Sequence, residues 1–132
     1  MSTTLAPALA GNTIGDDFVI AEWQDAGGVS EKPRFIAPPH LHHSDDEAWY
    51  VLEGALCVQR GDEVVEARAG AAVLVPRGVV HTYWNPGPGP VRYLLVMPAN
   101  IHKLIQAIHA MAERTPAAVQ EVFRRHDSEV VL

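Results

Sequence analysis

Between residues 18 and 97 the chain is cut into eight apolar runs of four to seven residues, and that punctuation limits its fold more than any other feature. The runs cover 18–23, 34–37, 48–52, 55–60, 64–67, 71–75, 79–84 and 91–97, and are rich in Val, Ile, Leu, Trp and Tyr. Turn formers separate them: Gly27-Gly28, Pro38-Pro39, Gly54, Gly61-Asp62, Gly70, Pro76-Arg77-Gly78 and the 85–90 stretch. Each run is too short for a helix, and each is bounded by residues that break regular structure. Successive short strands joined by tight turns pair antiparallel and close into a sandwich or barrel. Gly61-Asp62 reads as a two-residue hairpin turn.

The pattern changes after Pro98. Ile101, Leu104, Ile105, Ile108 and Met111 recur at helical spacing behind Asn100, which is expected to cap the helix. Thr115-Pro116 starts a second helix with a hydroxyl cap and a proline in the first turn, and Val119, Val122 and Phe123 share one face. Residues 1–13 show no periodicity and are expected to form a loose or edge-pairing arm. The expected layout is therefore an arm over 1–13, a β-barrel over 14–98, and helices over 99–132. The helices are expected to pack on the outside of the barrel, clear of its interior.

At 132 residues and 48% apolar composition, one domain with a self-sufficient core is expected. A net charge of −6 argues against nucleic acid, which demands a basic surface. The lone Cys57 forms no internal disulfide and reads as a small buried hydrophobe. Residues 1–10 contain no Lys or Arg and do not read as a signal peptide, and no apolar run is long enough to span a bilayer. A cytoplasmic protein is expected.

Seven histidines pose the chemical question. His40 and His42 lie two apart, so on a strand both side chains point the same way. Glu47 follows after the acidic bend Ser44-Asp45-Asp46, and His81 stands on a later strand. Three imidazoles and a carboxylate suit one divalent transition metal ion, and the donor types accept Fe, Mn, Ni, Zn or Cu. Asp45 and Asp46 read as solvated turn residues and His43 as exposed. His102, His109 and His126 read as packing or capping residues on the helices.

These residues also carry a family resemblance. His40-x-His42, four residues, Glu47, six residues and Gly54 match the first cupin motif. Gly70, five residues, Pro76-x-Gly78, two residues, His81, three residues and Asn85 match the second, and 15 residues separate the two. The chain resembles the cupin superfamily over residues 40–85, and within it the quercetin-dioxygenase-like group. The resemblance implies an all-β double-stranded β-helix, or jelly-roll barrel, here with two short C-terminal α-helices. It also implies metal binding by His40, His42, Glu47 and His81. One position departs: Arg34 stands where the first motif opens on glycine.

The expected activity is a metal-dependent oxygenation of a small phenolic or enol/dicarbonyl substrate, with Glu47 also acting as catalytic base. Alternatives are a non-catalytic metal-dependent binding or sensor module, and a cupin isomerase or decarboxylase. Trp49, Val51 and Tyr83 share parity with Glu47 and His81 and are expected to line the substrate pocket, with Arg34 and Ile36 at its mouth. Open sheet edges, and small cupins of the resembled group, lead to the expectation of a homodimer.

Overall fold

The computed structural model describes residues 15–131. The expected runs appear as strands β1 (Phe18–Asp25), β2 (Ala37–His42), β3 (Glu47–Glu53), β4 (Ala55–Arg60), β5 (Glu63–Arg68), β6 (Ala72–Val75), β7 (His81–Trp84) and β8 (Val91–Pro98). Helices α1 (Ala99–His109) and α2 (Pro116–Arg125) follow, and a last strand, β9, spans Ser128–Val130. Two antiparallel sheets face each other, in the orders β1-β8-β3-β6 and β5-β4-β7-β2-β9. The arm expected over 1–13 lies outside the described residues.

Alternation along the strands builds the interior. Trp49 and Val51 of β3, Val73 and Val75 of β6, and Tyr93, Leu95 and Met97 of β8 all point inward from the first sheet, and Leu56 and Val58 of β4 meet them from the second. Each fully buried Val, Leu or Met side chain contributes roughly 1.5–3 kcal/mol, so this layer holds the two sheets together. Gly54 turns β3 into β4 at φ +81°, and a Cβ there would sit 2.4 Å from the Pro90 carbonyl oxygen, so only glycine fits.

Four sequence expectations change. The second strand lies at 37–42 rather than 34–37: Pro38 and Pro39 enter it at a register irregularity between Ala37 and His40, where proline is tolerated. Asn100 does not cap α1; Pro98 occupies the N-cap without a side-chain bond, and the Asn100 amide turns to Asp45 and to the His126 carbonyl. Thr115 does cap α2, accepting from Ala118 N at 3.2 Å. The segment after α2 adds β9 to the five-stranded sheet, pairing with β2. The helices also do more than coat the barrel, for residues of both line its cavity. No helix among the described residues is long and apolar enough to cross a membrane.

Candidate metal centre

Three strands converge on one point. His40 and His42 leave β2 on the same face, two residues apart, and the β2–β7 register sets His40 directly opposite His81, the first residue of β7. Glu47, the first residue of β3, reaches across from the other sheet. All four side chains are buried, and one donor atom from each lies within 4.8 Å of every other.

Hydrogen bonds on the far side of each ring decide which nitrogen faces inward. His40 Nδ1 lies 2.6 Å from the Pro38 carbonyl oxygen, and His81 Nδ1 lies 2.9 Å from that of Val79. A carbonyl only accepts, so both Nδ1 atoms carry the proton. His42 Nδ1 lies 2.7 Å from Ser128 Oγ, whose own hydrogen is donated to the His126 carbonyl at 3.0 Å. His42 Nδ1 must therefore donate as well. The tautomers follow from this network: with the proton on Nδ1, each of the three rings in its neutral form turns a bare Nε2 lone pair inward.

Glu47 sharpens the point. Its Oε1 stands 3.0 Å from His81 Nε2 and 3.3 Å from His42 Nε2, and His42 Nε2 is buried with no hydrogen-bond partner. In that form, acceptors facing one another at such distances, out of water, call for a proton or a metal cation between them. A single shared proton satisfies one contact, whereas a divalent cation satisfies all four donor atoms. The donor set thus fits a transition metal on the evidence of its own geometry.

Electrostatics agree. Burial, followed by the neighbouring His81 and His42, holds His40 down to about 3, so its ring stays neutral and ready to coordinate. Burial alone would raise Glu47, but hydrogen bonds and positive charge from His42 and His81 when their Nε2 atoms carry protons outweigh it and bring the carboxyl down to about 2.

The cluster lies at the wall of a cavity of about 750 Å³. Trp23, Ile36, Tyr83, Tyr93 and Leu95 line it from the barrel, and Ile101, Leu104, Ile105, Ile108, Val119 and Phe123 from the helices. The Phe123 ring stands edge-on to His40, with centroids 5.3 Å apart. Burial, reinforced by the nearby Tyr93 and Glu47, raises Tyr83 well above the ordinary phenol value, and burial pushes Tyr93 up to about 12. Both phenols therefore remain protonated at neutral pH.

Of the five pocket residues read from sequence, Tyr83 and Ile36 line this cavity. Trp49 and Val51 face inward but lie wholly buried in the core, Trp49 against the rings of His81 and Tyr83. Arg34 is exposed and lines a separate shallow groove with Gly28 and Trp84. His109, read as a packing residue, borders the cavity and meets Trp23 edge-on at 5.6 Å. Asp45 and Asp46 are not merely solvated: Asp45 accepts from Asn100 at 3.0 Å, and Asp46 accepts from Arg77 N at 2.8 Å. Sequence reasoning missed Ser128 altogether, because three residues of strand carry no periodic signal.

Residues 29–97 match the family described as the cupin domain, Cupin_2. The chain belongs to the cupin family. Among curated proteins it is 28% identical over 82 residues to a mannose-1-phosphate guanylyltransferase of Salmonella muenchen, covering 61% of this chain and 16% of that one. It is 34% identical over 68 residues to the xanthan biosynthesis protein XanB of Xanthomonas campestris, covering 52% of this chain and 15% of XanB. The chain thus spans about a sixth of the length of these relatives. Among solved structures, the polyketide cyclase RemF of Streptomyces resistomycificus superposes with a TM-score of 0.52 at 29% identity, over 64% of this cupin and 56% of RemF. A Klebsiella pneumoniae protein with a double-stranded β-helix domain gives 0.53 at 25% identity, over 71% and 77%.

Proposed function

We propose that this cupin is a metal-dependent enzyme acting on a small, largely apolar phenol or enol/dicarbonyl compound, with oxygenation the leading reaction. His40, His42 and His81 would hold one divalent ion (Fe, Mn, Ni, Zn or Cu) through Nε2, and Glu47 through its carboxylate. The carrying observation is the convergence of three bare Nε2 lone pairs and a carboxylate beside an apolar cavity large enough for a bicyclic or tricyclic molecule. Bound there, the ion supplies Lewis-acid polarisation and, for Fe, Mn, Ni or Cu, one-electron chemistry.

The protein's residues do the rest. Trp23, Ile105 and Phe123 exclude water and hold a flat apolar body. Tyr93, kept protonated, donates a hydrogen bond to a substrate oxygen, while the Tyr83 hydroxyl is engaged with Tyr93. Glu47 would accept the proton of a substrate hydroxyl only where that hydroxyl is strongly acidified, which favours enols and phenols over aliphatic alcohols. Redox-neutral ring closure of the same class of substrate is the second reading, supported by the 29% identity to the polyketide cyclase RemF.

The test is metal analysis of the purified protein, followed by turnover of flavonols, dicarbonyls and polyketide-like phenols with and without O₂. Oxygen uptake matched to substrate loss supports oxygenation, and equal turnover under anaerobic conditions moves the assignment to ring closure. His81→Ala should empty the site. Full metal occupancy in that variant would remove the ligand assignment, and tight binding without any conversion would make the cavity a binding module.

A further inference from the structure

Two of the three inward-facing histidines are held by backbone close by in sequence. His40 and His81 each bond the carbonyl two residues back, Pro38 and Val79. His42 differs: its Nδ1 reaches a side chain, Ser128 Oγ, 86 residues away in sequence. We propose that Ser128 is a positioning residue of the metal centre, whose hydroxyl holds His42 with its proton on Nδ1 and its Nε2 aimed at the cluster. The inference rests on the metal-site reading above and concerns how the chain builds that site.

Several features place this hydroxyl and give it no freedom. Ser128 is 1% exposed and sits directly opposite His42 in the β2–β9 register. Its hydrogen is committed to the His126 carbonyl at 3.0 Å, so toward His42 the oxygen offers only lone pairs. Asp127 adopts a left-handed φ of 53°, which turns the chain from α2 into β9. The turn is tied back to the segment between His42 and Glu47 at three points. His43 N donates to Asp127 O at 2.9 Å, the Ser44 hydroxyl donates to the Asp127 carboxylate, and Asn100 bridges Asp45 and His126 O. Such anchoring follows the general pattern in which a metal-binding histidine donates its other N–H to a fixed acceptor, and loss of that acceptor weakens metal binding by about 10–100-fold.

Because the partners of His40 and His81 are main-chain atoms, mutation removes only the His42 anchor cleanly. The experiment uses the full chain in Ser128→Ala, Ser128→Cys, Ser128→Thr and Gln120→Ala forms. Gln120 is the control, since its amide pins β9 through both N and O of Val130 without touching His42. Two readouts are taken: Co²⁺ affinity by absorbance titration, and the His42 tautomer in the metal-free protein by long-range ¹H–¹⁵N correlation. Ser128→Ala should weaken Co²⁺ binding by about 10–100-fold and abolish the uniform Nδ1–H form of His42. Ser128→Thr, which keeps the hydroxyl, should restore both. Ser128→Cys keeps the volume with a poor acceptor and carries the same expectation should the alanine variant not fold. Gln120→Ala should leave both readouts near wild type. An unchanged tautomer and affinity in Ser128→Ala and Ser128→Cys would overturn the proposal, as would equal losses in Gln120→Ala. Should the wild-type chain bind no Co²⁺, the metal reading falls, and the tautomer arm alone decides the role of Ser128.

Discussion

Acidifying the metal-free protein should drain its stability well above the usual carboxylate range, and His40 supplies the reason. Burial, then His81 and His42, lower its imidazole from 6.5 to about 3. The unfolded chain binds a proton at His40 below pH 6.5, while the folded barrel refuses it until about pH 3. Stability is therefore full above 6.5 and falls as pH drops through that window. The window spans about 3.5 pH units, which at 1.36 kcal/mol per unit removes about 5 kcal/mol by pH 3. Domains of this size hold 5–15 kcal/mol in all, so the loss is a large share of the total. Glu47 acts in the same direction lower down: its carboxyl, depressed from 4.5 to about 2, contributes stability above 4.5 that is lost as pH falls toward 2. The assay is urea unfolding followed by tryptophan fluorescence in excess chelator, repeated from about pH 7 to pH 4. Below pH 6.5 the free energy should fall by about 1.4 kcal/mol per unit, and His40→Leu should flatten that slope. A level wild-type profile across this range, or an equally steep one in His40→Leu, would refute the reasoning.

Three further outcomes are expected. Gly54→Ala forces a side chain into a left-handed backbone and against the Pro90 carbonyl; it should cost about 1–3 kcal/mol and lower Tm by several degrees in a thermal melt. Asn100→Ala removes the bonds to Asp45 and to the His126 carbonyl and should cost about 1–2 kcal/mol by urea denaturation. Phe123→Ala strips a buried ring from the cavity wall beside His40; it should cost about 3–5 kcal/mol and increase binding of a hydrophobic dye, and an unchanged dye signal would show that the ring does not seal the cavity.

The barrel and the four converging side chains were legible because both obey short, rigid rules. Strand alternation puts His40 and His42 on one face, and the motif spacing selects Glu47 and His81. The pocket was less legible because parity names a face and says nothing of depth. Trp49 and Val51 do point inward with Glu47, yet further along β3 the interior is filled, so they pack rather than line. Arg34 escaped for a different reason: Pro38 and Pro39 disrupt the register before His40, and alternation counted back through them fails. The helical stripes announced one-sided burial but not what they bury against, so Leu104, Ile105 and Phe123 were expected on an outer face and instead wall the cavity. Ser128 and Asn100 act through partners far away in sequence, and no local pattern betrays a long-range hydrogen bond.

The β2–β9 pairing has a kinetic consequence. His42 and Ser128 meet across a separation of 86 residues, and β1 closes on β8 with Phe18 opposite Pro98. Pairings this distant make folding slow, because loop-closure entropy is lost before the contacts form. The local β4–β5 hairpin closes on a two-residue turn and has no such delay. A three-residue strand held by so late a closure is also the natural place for the folded barrel to open first, so β9 amides should exchange with solvent sooner than those of β3 or β8. Each such opening carries Ser128 away from His42 and uncovers the wall of the cavity, so metal exchange at the proposed site and the earliest local unfolding of this cupin should share one rate.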